Sequence, residues 1–288
     1  MINIIDGILA TLIYIAVSFV LFLIGKFAYQ LFHPKVRVSW ELVENDNLAF
    51  AMAHVGYFIG LLLAIGSAVM GDSDAGLIAD LINIGIYGLL SIILLNLSLI
   101  INDKLLFSKF DMKKEILEDR NVGTGVIEAG NAVATGLIVL GAIHGEGFGV
   151  GGPIVTAVLY WVLGQGILFL TTLIYNWMTP YDIHEHIEKD NIAVGVGYAG
   201  AVVAIGNLIR NALMHDFISW YVTLEDVAFN VIVGFLFLPI ARFLADKILL
   251  PGQNLTDEIV NQENPNVGAA VVEAFAYIGG SVLIVWAL

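Results

Sequence analysis

Long apolar stretches separated by short polar segments make up most of the chain. Four of them contain no Asp, Glu, Lys or Arg over a length that could cross a bilayer: 7–25, 47–71, 81–102 and 147–181. A bilayer core about 30 Å thick needs about 20 helical residues. Read together with the turn residues between them, the apolar runs predict eight transmembrane helices at about 7–32, 47–70, 77–102, 121–143, 153–177, 191–213, 219–247 and 266–287. We therefore expect an all-α integral membrane protein.

The composition agrees with this fold class and excludes several functions. Of the 288 residues, 59% are hydrophobic and 13% are charged, whereas soluble domains are about 25% charged. A net charge of -14 argues against a nucleic-acid partner, and the absence of cysteine excludes disulfides and thiolate metal sites. The sequence also contains no nucleophile elbow, Walker motif or zinc-protease helix. We expect no enzyme activity, no cofactor and no bound metal.

The basic residues predict the orientation in the membrane. Eleven of the 12 Lys and Arg residues lie on or near one side of the predicted bundle, and Arg210 alone approaches the other. The loops on the basic side are 33–46, 103–120, 178–190 and 246–265, and the turns on the other side are 71–76, 144–152 and 215–217. By the positive-inside rule the basic side is cytoplasmic, so both termini face outward. Only Asp6 is charged before the first apolar run, so we expect no removable signal peptide.

A loop motif, Glu-x-aliphatic-x-x-x-Asn, occurs four times. It begins at Glu41, Glu115, Glu185 and Glu258, at intervals of 70 to 74 residues. Each repeat unit is thus a helix, a loop on the basic side and a second helix. The last unit departs from the pattern, because Asn261 replaces the second loop glutamate and Pro265 is inserted.

Odd units resemble odd units and even units resemble even units. Tyr29-Gln-x-x-x-Pro recurs as Tyr175-Asn-x-x-x-Pro, and the string Asn-Val-Gly-x-x-Val-x-Glu occurs at 121–128 and at 266–273. These matches predict two four-helix halves, residues 1–144 and 145–288, within one membrane domain. Because each unit crosses the membrane twice, the halves should enter it in the same orientation. Any symmetry axis should run along the membrane normal, with a weaker pseudo-four-fold pattern.

In the first three units the asparagine that closes the motif stands where a transmembrane helix begins. In the last unit the register slips by two residues, so that Asn266 takes this place after the motif asparagine Asn264. Asparagine is among the best N-capping residues, and an uncapped helix start near lipid is costly. The predicted helix-capping residues are Asn47, Asn121, Asn191 and Asn266. The glutamates upstream are expected on short interfacial helices, as a solvated face.

Polar residues recur inside the membrane, seven residues beyond each capping asparagine. This is about 10 Å into the core, and the four units carry His54, Glu128, Tyr198 and Glu273 there. An ionisable residue at this depth is a functional-site hypothesis by default. The two glutamates occupy the same place in both halves and predict a shared site for a cation or proton. The simpler alternative is that two protonated carboxyl groups lock the halves together.

The neighbours of these residues complete the candidate site. Thr124, Asn131 and Thr135 share a helix face with Glu128 and are predicted to line the site. His54 and Tyr198 belong to it by position, although each occurs once and core packing explains it more simply. Small residues at four-residue spacing on the even-numbered transmembrane helices predict that these helices are central and closely packed.

Three other sequence patterns are weaker candidates for functional sites. The strings Gly-x-Gly-x-x-Gly at 147–152 and 195–200 match a dinucleotide fingerprint, but neither follows a predicted strand. His184, Glu185, His186 and Glu188 have no zinc spacing and are expected in a solvated loop. Asp103 and Asp246 stand beside Lys104 and Lys247, which favours interfacial ion pairs, with a pore-mouth acid as the alternative.

The duplicated paired helices, with their Glu-x-x-x-Asn loops and the Asn-Val-Gly-x-x-Val-x-Glu strings, resemble the bacterial inner-membrane proteins of the YjfL type. This is a family of unknown function built from such repeats, and the resemblance covers essentially the whole chain. It implies a bacterial inner-membrane location and a link to either envelope stress or polyamine-related gene neighbourhoods. It implies no reaction.

Three functions are consistent with the sequence. The leading hypothesis is an ion channel or ion-coupled transport protein in which Glu128 and Glu273 bind a small cation or a proton. The rival is a membrane scaffold or envelope-stress partner whose acidic cytoplasmic loops dock a soluble protein. An intramembrane enzyme is the third. The lipid bilayer is the one expected partner common to all three, and assembly into a homo-oligomer is left open.

Overall fold

The structure is a computed structural model that describes residues 4–70, 76–105, 112–144, 152–215, 217–250 and 252–288. This part of the chain is helical, without strands. Its long helices are α1 Ile4–Phe32, α2 Leu48–Val69, α3 Leu77–Leu105, α5 Val122–His144, α6 Pro153–Met178, α8 Ile192–Leu213, α9 Trp220–Leu244 and α11 Val267–Ala287. Three short helices lie in the loops: α4 Met112–Leu117, α7 Ile183–Glu188 and α10 Leu255–Val260. Single π-helical turns occupy Trp40–Glu44 and Ala245–Leu249.

The predicted membrane topology is confirmed in its main feature. Eight helices of the described chain are long and apolar enough to cross a membrane, and their ends lie within a few residues of the predicted ones. Large apolar side chains such as Phe27 and Leu31 are exposed on their outer faces, as expected for a surface in contact with lipid. The predicted turn at 71–76, most of the turn at 144–152 with its glycine string, and Lys109 lie outside the described residues.

The second transmembrane helices of the four units, α2, α5, α8 and α11, form a central row. Each packs closely on the next. The same small-residue contact occurs at all three interfaces: Gly56 against Ala129, Gly130 against Ala199 and Gly200 against Ala274. A Cβ added at Gly56 would lie 2.2 Å from the Ala129 Cα, so the two backbones touch. Small residues are what allow membrane helices to approach this closely, and the predicted central packing is confirmed.

Neighbouring helices of the row run in the same direction. Along the contact between α2 and α5, Ala49 faces Gly125 near the start of both helices and Gly60 faces Gly136 farther along. The repeat is therefore parallel, as predicted, and not inverted. The first helices of the units flank the row, with α1 and α3 packed on α2, and α6 and α9 packed on α8. The expected pseudo-four-fold bundle is not closed, because α2 and α11 make no extensive contact with each other within the described chain.

Bulky residues lie on the outward faces of α2 and α11, the first and last helices of the row. On α11, Phe275 stands nine residues after the capping asparagine, where the other three units have glycine, and it is 66% exposed. On α2, Val55 and Leu62 are exposed at positions where α5 and α8 carry alanine and glycine. Terminal repeats of stacked architectures are commonly atypical in this way. A further helix could not join either end through the same backbone contact.

A ladder of asparagines joins the units at the loop end of the bundle. The Asn47 Oδ1 accepts from the Phe50 N–H of its own helix (3.0 Å), while its Nδ2 donates to the Ile116 carbonyl in the next unit (2.9 Å). The two following units repeat this link, since Asn121 donates to the Ile187 carbonyl (2.6 Å) and Asn191 donates to the Ile259 carbonyl (2.9 Å). Each capping residue thus fixes both its own helix start and the position of the next loop helix.

The motif glutamates differ from the expected solvated face. Glu41 and Glu115 are buried, and each accepts from the Nδ2 of the asparagine that closes its motif, at 3.0 Å and 3.1 Å. Both N–H groups of the asparagine Nδ2 are then hydrogen-bonded, one to the glutamate and one to the carbonyl of the next unit, as a buried side-chain amide requires. Glu185 behaves as expected, since its side chain is exposed and pairs with Lys189 at 2.6 Å. Glu258 is half-buried and accepts from the Asn266 Nδ2 at 2.8 Å.

Gly56→Ala is expected to lower the free energy of unfolding by about 1–3 kcal/mol, because the added methyl group must push two backbones apart. Gly166→Ala is the matched control. A Cβ there meets nothing within 4 Å, and alanine favours the helix by about 1 kcal/mol over glycine. Thermal unfolding of the purified variants in detergent measures both. Equal effects of the two substitutions would contradict the close packing of α2 on α5.

Asn121→Ala is expected to be more destabilising than Asn266→Ala. The N-cap bond is worth about 1 kcal/mol at either site, but Asn121 also serves the Ile187 carbonyl and the buried Glu115. Leaving such buried groups unsatisfied costs about 1–3 kcal/mol more. Asn266 is exposed in the last unit and bonds only within that unit. The same unfolding measurement applies, and an equal loss for the two variants would count against the ladder.

Candidate functional site

Glu273 lies in the interior of the second half, on α11. Its side chain has no exposed surface. Arg242 of α9 forms an ion pair with the Oε1, to which the Tyr277 hydroxyl also donates at 2.9 Å. Gly197 of α8 faces the other carboxyl oxygen, and a Cβ at that position would lie 2.7 Å from the Oε2. Glycine therefore provides the room in which the carboxyl group sits.

Arg242 contacts several other residues of this site. Its Nη2 donates to the Thr256 Oγ1 of α10 at 3.1 Å, and its guanidinium lies 5.6 Å from the centre of the Tyr181 ring. The guanidinium thus contacts a carboxylate, a hydroxyl group and an aromatic face. A buried carboxylate is tolerated only with such a partner, because an unpaired charge in this environment is strongly unfavourable.

Glu128 lies in the first half, on α5, and lines a cavity of about 90 Å³. The cavity is bounded by α1, α2, α3, α4 and α5. Its other polar lining residues are Tyr29, His33, Asn102, Asp103, Lys104 and Asn131. Asn102 is 6% exposed, and its Nδ2 has no hydrogen-bond partner among the described residues. The cavity is partly open, Glu128 is half-buried in it, and its size leaves room for water or a small ligand.

The two glutamate sites are equivalent, yet they are separate. Glu128 faces the helices of the first half and Glu273 faces those of the second. We expected the two carboxyl groups to share one site, and the structure places them in two. The reason is the order of the central row, in which α8 stands between α5 and α11.

Two more of the predicted site residues, Asn131 and Tyr198, meet at the boundary between the halves. Asn131 lines the Glu128 cavity, and its Oδ1 accepts from the Tyr198 hydroxyl at 3.4 Å. The Tyr198 hydroxyl also lies 2.8 Å from the Thr172 Oγ1, so Tyr198 connects α5, α6 and α8. Thr124 and Thr135 are buried on α5, but neither is among the residues that line the cavity.

His54 belongs to an aromatic cluster beside the cavity. It is 3% exposed, and its ring centroid lies 4.7 Å from that of Tyr29, 5.2 Å from Phe50 and 4.4 Å from Phe58. Tyr29 and Phe50 line the cavity and His54 does not. His54 packs among these rings, and its Nδ1 is buried without a hydrogen-bond partner among the described residues.

Several residues of the two sites are not singled out by the sequence. Arg242 was counted only as a basic residue near the membrane boundary, although it lies one turn before Asp246 and so within the helix. Tyr29 and Tyr175 were visible in the repeated Tyr-x-x-x-x-Pro string but were given no role. When the two halves are aligned on Asp103-Lys104 and Asp246-Lys247, Arg242 of the second half corresponds to Leu99 of the first.

Comparison with known proteins agrees with the duplicated architecture. The family described as Domain of Unknown Function (DUF350) matches the chain twice, at residues 3–143 and 149–288. The chain belongs to the DUF350 family. Its two matches correspond to the two four-helix halves of the structure. The finer resemblance to the YjfL type stays a prediction.

One relative is also described as a transmembrane protein, and its description names no activity. The DUF350 chain is 22% identical over 270 residues to a UPF0719 transmembrane protein of Aquifex aeolicus (strain VF5), which covers 93% of this chain and 95% of that protein. No solved structure matches the chain significantly. The protein is thus a multi-pass membrane protein of an uncharacterised family.

Arg242→Leu is expected to lower the free energy of unfolding by about 3–5 kcal/mol, because it leaves the buried carboxylate of Glu273 unpaired. Adding Glu273→Gln to the same chain should restore most of that loss, since glutamine is uncharged. The control is Lys247→Leu, which removes an exposed ion pair with Asp246 and should cost less than about 1 kcal/mol. Unfolding in detergent measures all three. A double variant no more stable than Arg242→Leu would contradict the pairing.

Proposed function

We propose that this protein carries a small cation or a proton across the membrane and that the ion binds beside Glu128. The observation that supports this most strongly is the position of that carboxyl group. It projects from a transmembrane helix into a cavity that also contains phenol, imidazole and amide groups. Ionisable residues at this depth that face a polar cavity are typical of ion and proton pathways.

The chemistry of the cavity suits a positive ligand. An ion that enters the membrane must exchange its hydration shell for protein oxygens and dipoles. Glu128 and Asp103 offer carboxylate oxygens, and Tyr29 and Asn131 offer neutral polar groups. Lys104 shares the lining, so the net charge of the site favours one monovalent cation over a more highly charged ion.

We place the protein in the bacterial inner membrane, with the asparagine ladder on the cytoplasmic side and both termini outside. The distribution of 11 of the 12 basic residues supports this orientation. Asp103 and Lys104, at the end of α3, then lie at the cytoplasmic side of the cavity. An ion would reach Glu128 from that side.

The scaffold alternative has less support. It requires acidic loops that are available to a soluble partner, but Glu41 and Glu115 are buried and bonded to their own asparagines. Four other glutamates of these loops remain exposed: Glu44, Glu118, Glu185 and Glu188. No triad of nucleophile, base and oxyanion donor was recognised in the sequence, so we do not propose an enzyme.

Glu128→Gln is expected to abolish ion flux, because glutamine retains the volume and hydrogen bonding of glutamate but cannot ionise. The measurement is proton and monovalent-cation flux in sealed liposomes under an imposed gradient. Glu185→Gln is the matched control, since it makes the same chemical change on the exposed loop and should leave flux unchanged. Wild-type protein without flux, or full flux in Glu128→Gln, would overturn the proposal.

A further inference from the structure

We propose that the second half binds a phospholipid whose headgroup carries both a phosphate and a primary ammonium group, of the phosphatidylethanolamine type. The site is a cavity of about 230 Å³ at the loop end of the bundle, bounded by α6, α9 and α10. Four polar and four apolar side chains line it, and Arg242 is one of the polar ones. This inference is independent of the ion proposed beside Glu128.

The cavity lies at the level of the lipid headgroups. Met178, the last residue of α6, lines it, and the neighbouring Trp177 is exposed. Tryptophans of membrane proteins gather at the interface between hydrocarbon and water. Lys247, just after α9, is also exposed, and long basic side chains near helix ends extend to the same interface. The phosphate groups of surrounding lipids therefore lie at the depth of this cavity.

The cavity also opens onto the lipid-facing surface of α9. Pro239 and Phe243 line it one turn apart, and both are exposed. Leu236 and Ile232 are exposed farther along the same face, toward the middle of the membrane. An apolar stripe that leads away from a polar cavity suits an acyl chain below a headgroup. A small soluble ligand would have no use for it, so the occupant is a lipid.

Arg242 and Thr256 offer donors for the phosphate group. A guanidinium has five N–H donors, more than its bonds to the Glu273 carboxylate and the Thr256 hydroxyl use. Arginine is well suited to phosphate because its planar fork of donors matches the phosphate oxygens. The Thr256 Oγ1 accepts from the Arg242 Nη2 at 3.1 Å and thus keeps its own O–H for a phosphate oxygen.

Asp246 offers an acceptor for the ammonium group. It lines the cavity four residues after Arg242. Its carboxylate accepts from the Leu255 N–H at 2.6 Å and pairs with Lys247 at 2.7 Å, but a carboxylate can accept about four hydrogen bonds. An anionic headgroup without an ammonium group would place a second negative charge beside Asp246. A choline headgroup has no N–H to donate.

One such site is expected per chain. The first half has Leu99 in the place of Arg242, so its equivalent position lacks the donor for a phosphate group. The lipid should therefore bind once, on the second half. Its headgroup would join the ends of α6 and α9 to the loop helix α10.

The test compares lipids that share their acyl chains and differ in headgroup. The thermal unfolding midpoint of the delipidated protein is measured in detergent with added phosphatidylethanolamine, phosphatidylcholine or phosphatidylglycerol. A ligand that binds only the folded state raises the midpoint, and phosphatidylethanolamine should raise it by about 3 °C more than the other two. Equal shifts with phosphatidylcholine, or a larger shift with phosphatidylglycerol, would overturn the inference.

Soluble phosphoethanolamine tests whether the headgroup alone is the ligand. It should give no shift at the same concentration, because it has no acyl chain to lie along Pro239 and Phe243. A shift as large as that of the lipid would overturn the assignment to a lipid and would point to a soluble phosphate ester.

Asp246→Asn locates the preference within the cavity. Asparagine can still accept from the Leu255 N–H but has no charge for the ammonium group, so the difference between phosphatidylethanolamine and phosphatidylcholine should disappear. Asp257→Asn is the matched control, because it makes the same change at an exposed residue of α10 and should keep the difference. A difference that survives in Asp246→Asn would overturn this site. The wild-type comparison decides the matter even if the variant fails to fold.

Discussion

The backbone contacts between neighbouring central helices constrain everything else in this molecule. At each of the three interfaces a glycine of one helix lies against an alanine of the next, so close that a methyl group in its place would overlap backbone atoms. Such contacts allow little sliding, because packed interiors tolerate few voids or overlaps. With the register fixed, the capping asparagine of each of the first three units meets the loop helix of the next unit, and each glutamate is held at the same depth in its half.

The same constraint explains how the two halves manage a buried carboxyl group. A carboxylate inside the membrane needs compensation, whether by a partner, a proton or a polar cavity. The second half provides a partner, since Arg242 reaches the Glu273 carboxylate and Thr256 positions the guanidinium. The first half provides a polar cavity around Glu128. Two copies of one scaffold thus surround the same group in two ways.

The sequence predicts the helices and the parallel repeat, because both depend on periodic patterns along the chain. Glu128 and Glu273 are recognised for the same reason, as a repeated exception to an apolar run. Their separation is not predictable, since it depends on α8 lying between α5 and α11. The burial of Glu41 and Glu115 also depends on tertiary packing. The pairing with Arg242 was overlooked because a basic residue near a helix end usually extends to the membrane surface.

The arrangement also limits where an ion could cross. Two parallel halves suggest a path along their pseudo-symmetry axis, but the interface there is the contact of α5 with α8. Gly123 and Gly195 lie against each other there, and Gly206 lies against Ala134, all through backbone atoms. Such an interface has no space for a hydrated ion. Polar residues instead gather inside each half, around Glu128 in the first and around Glu273 and Arg242 in the second. A route for the proposed cation must therefore run inside one half, between its flanking helices and the central row, and the closely packed row serves as the rigid wall beside it.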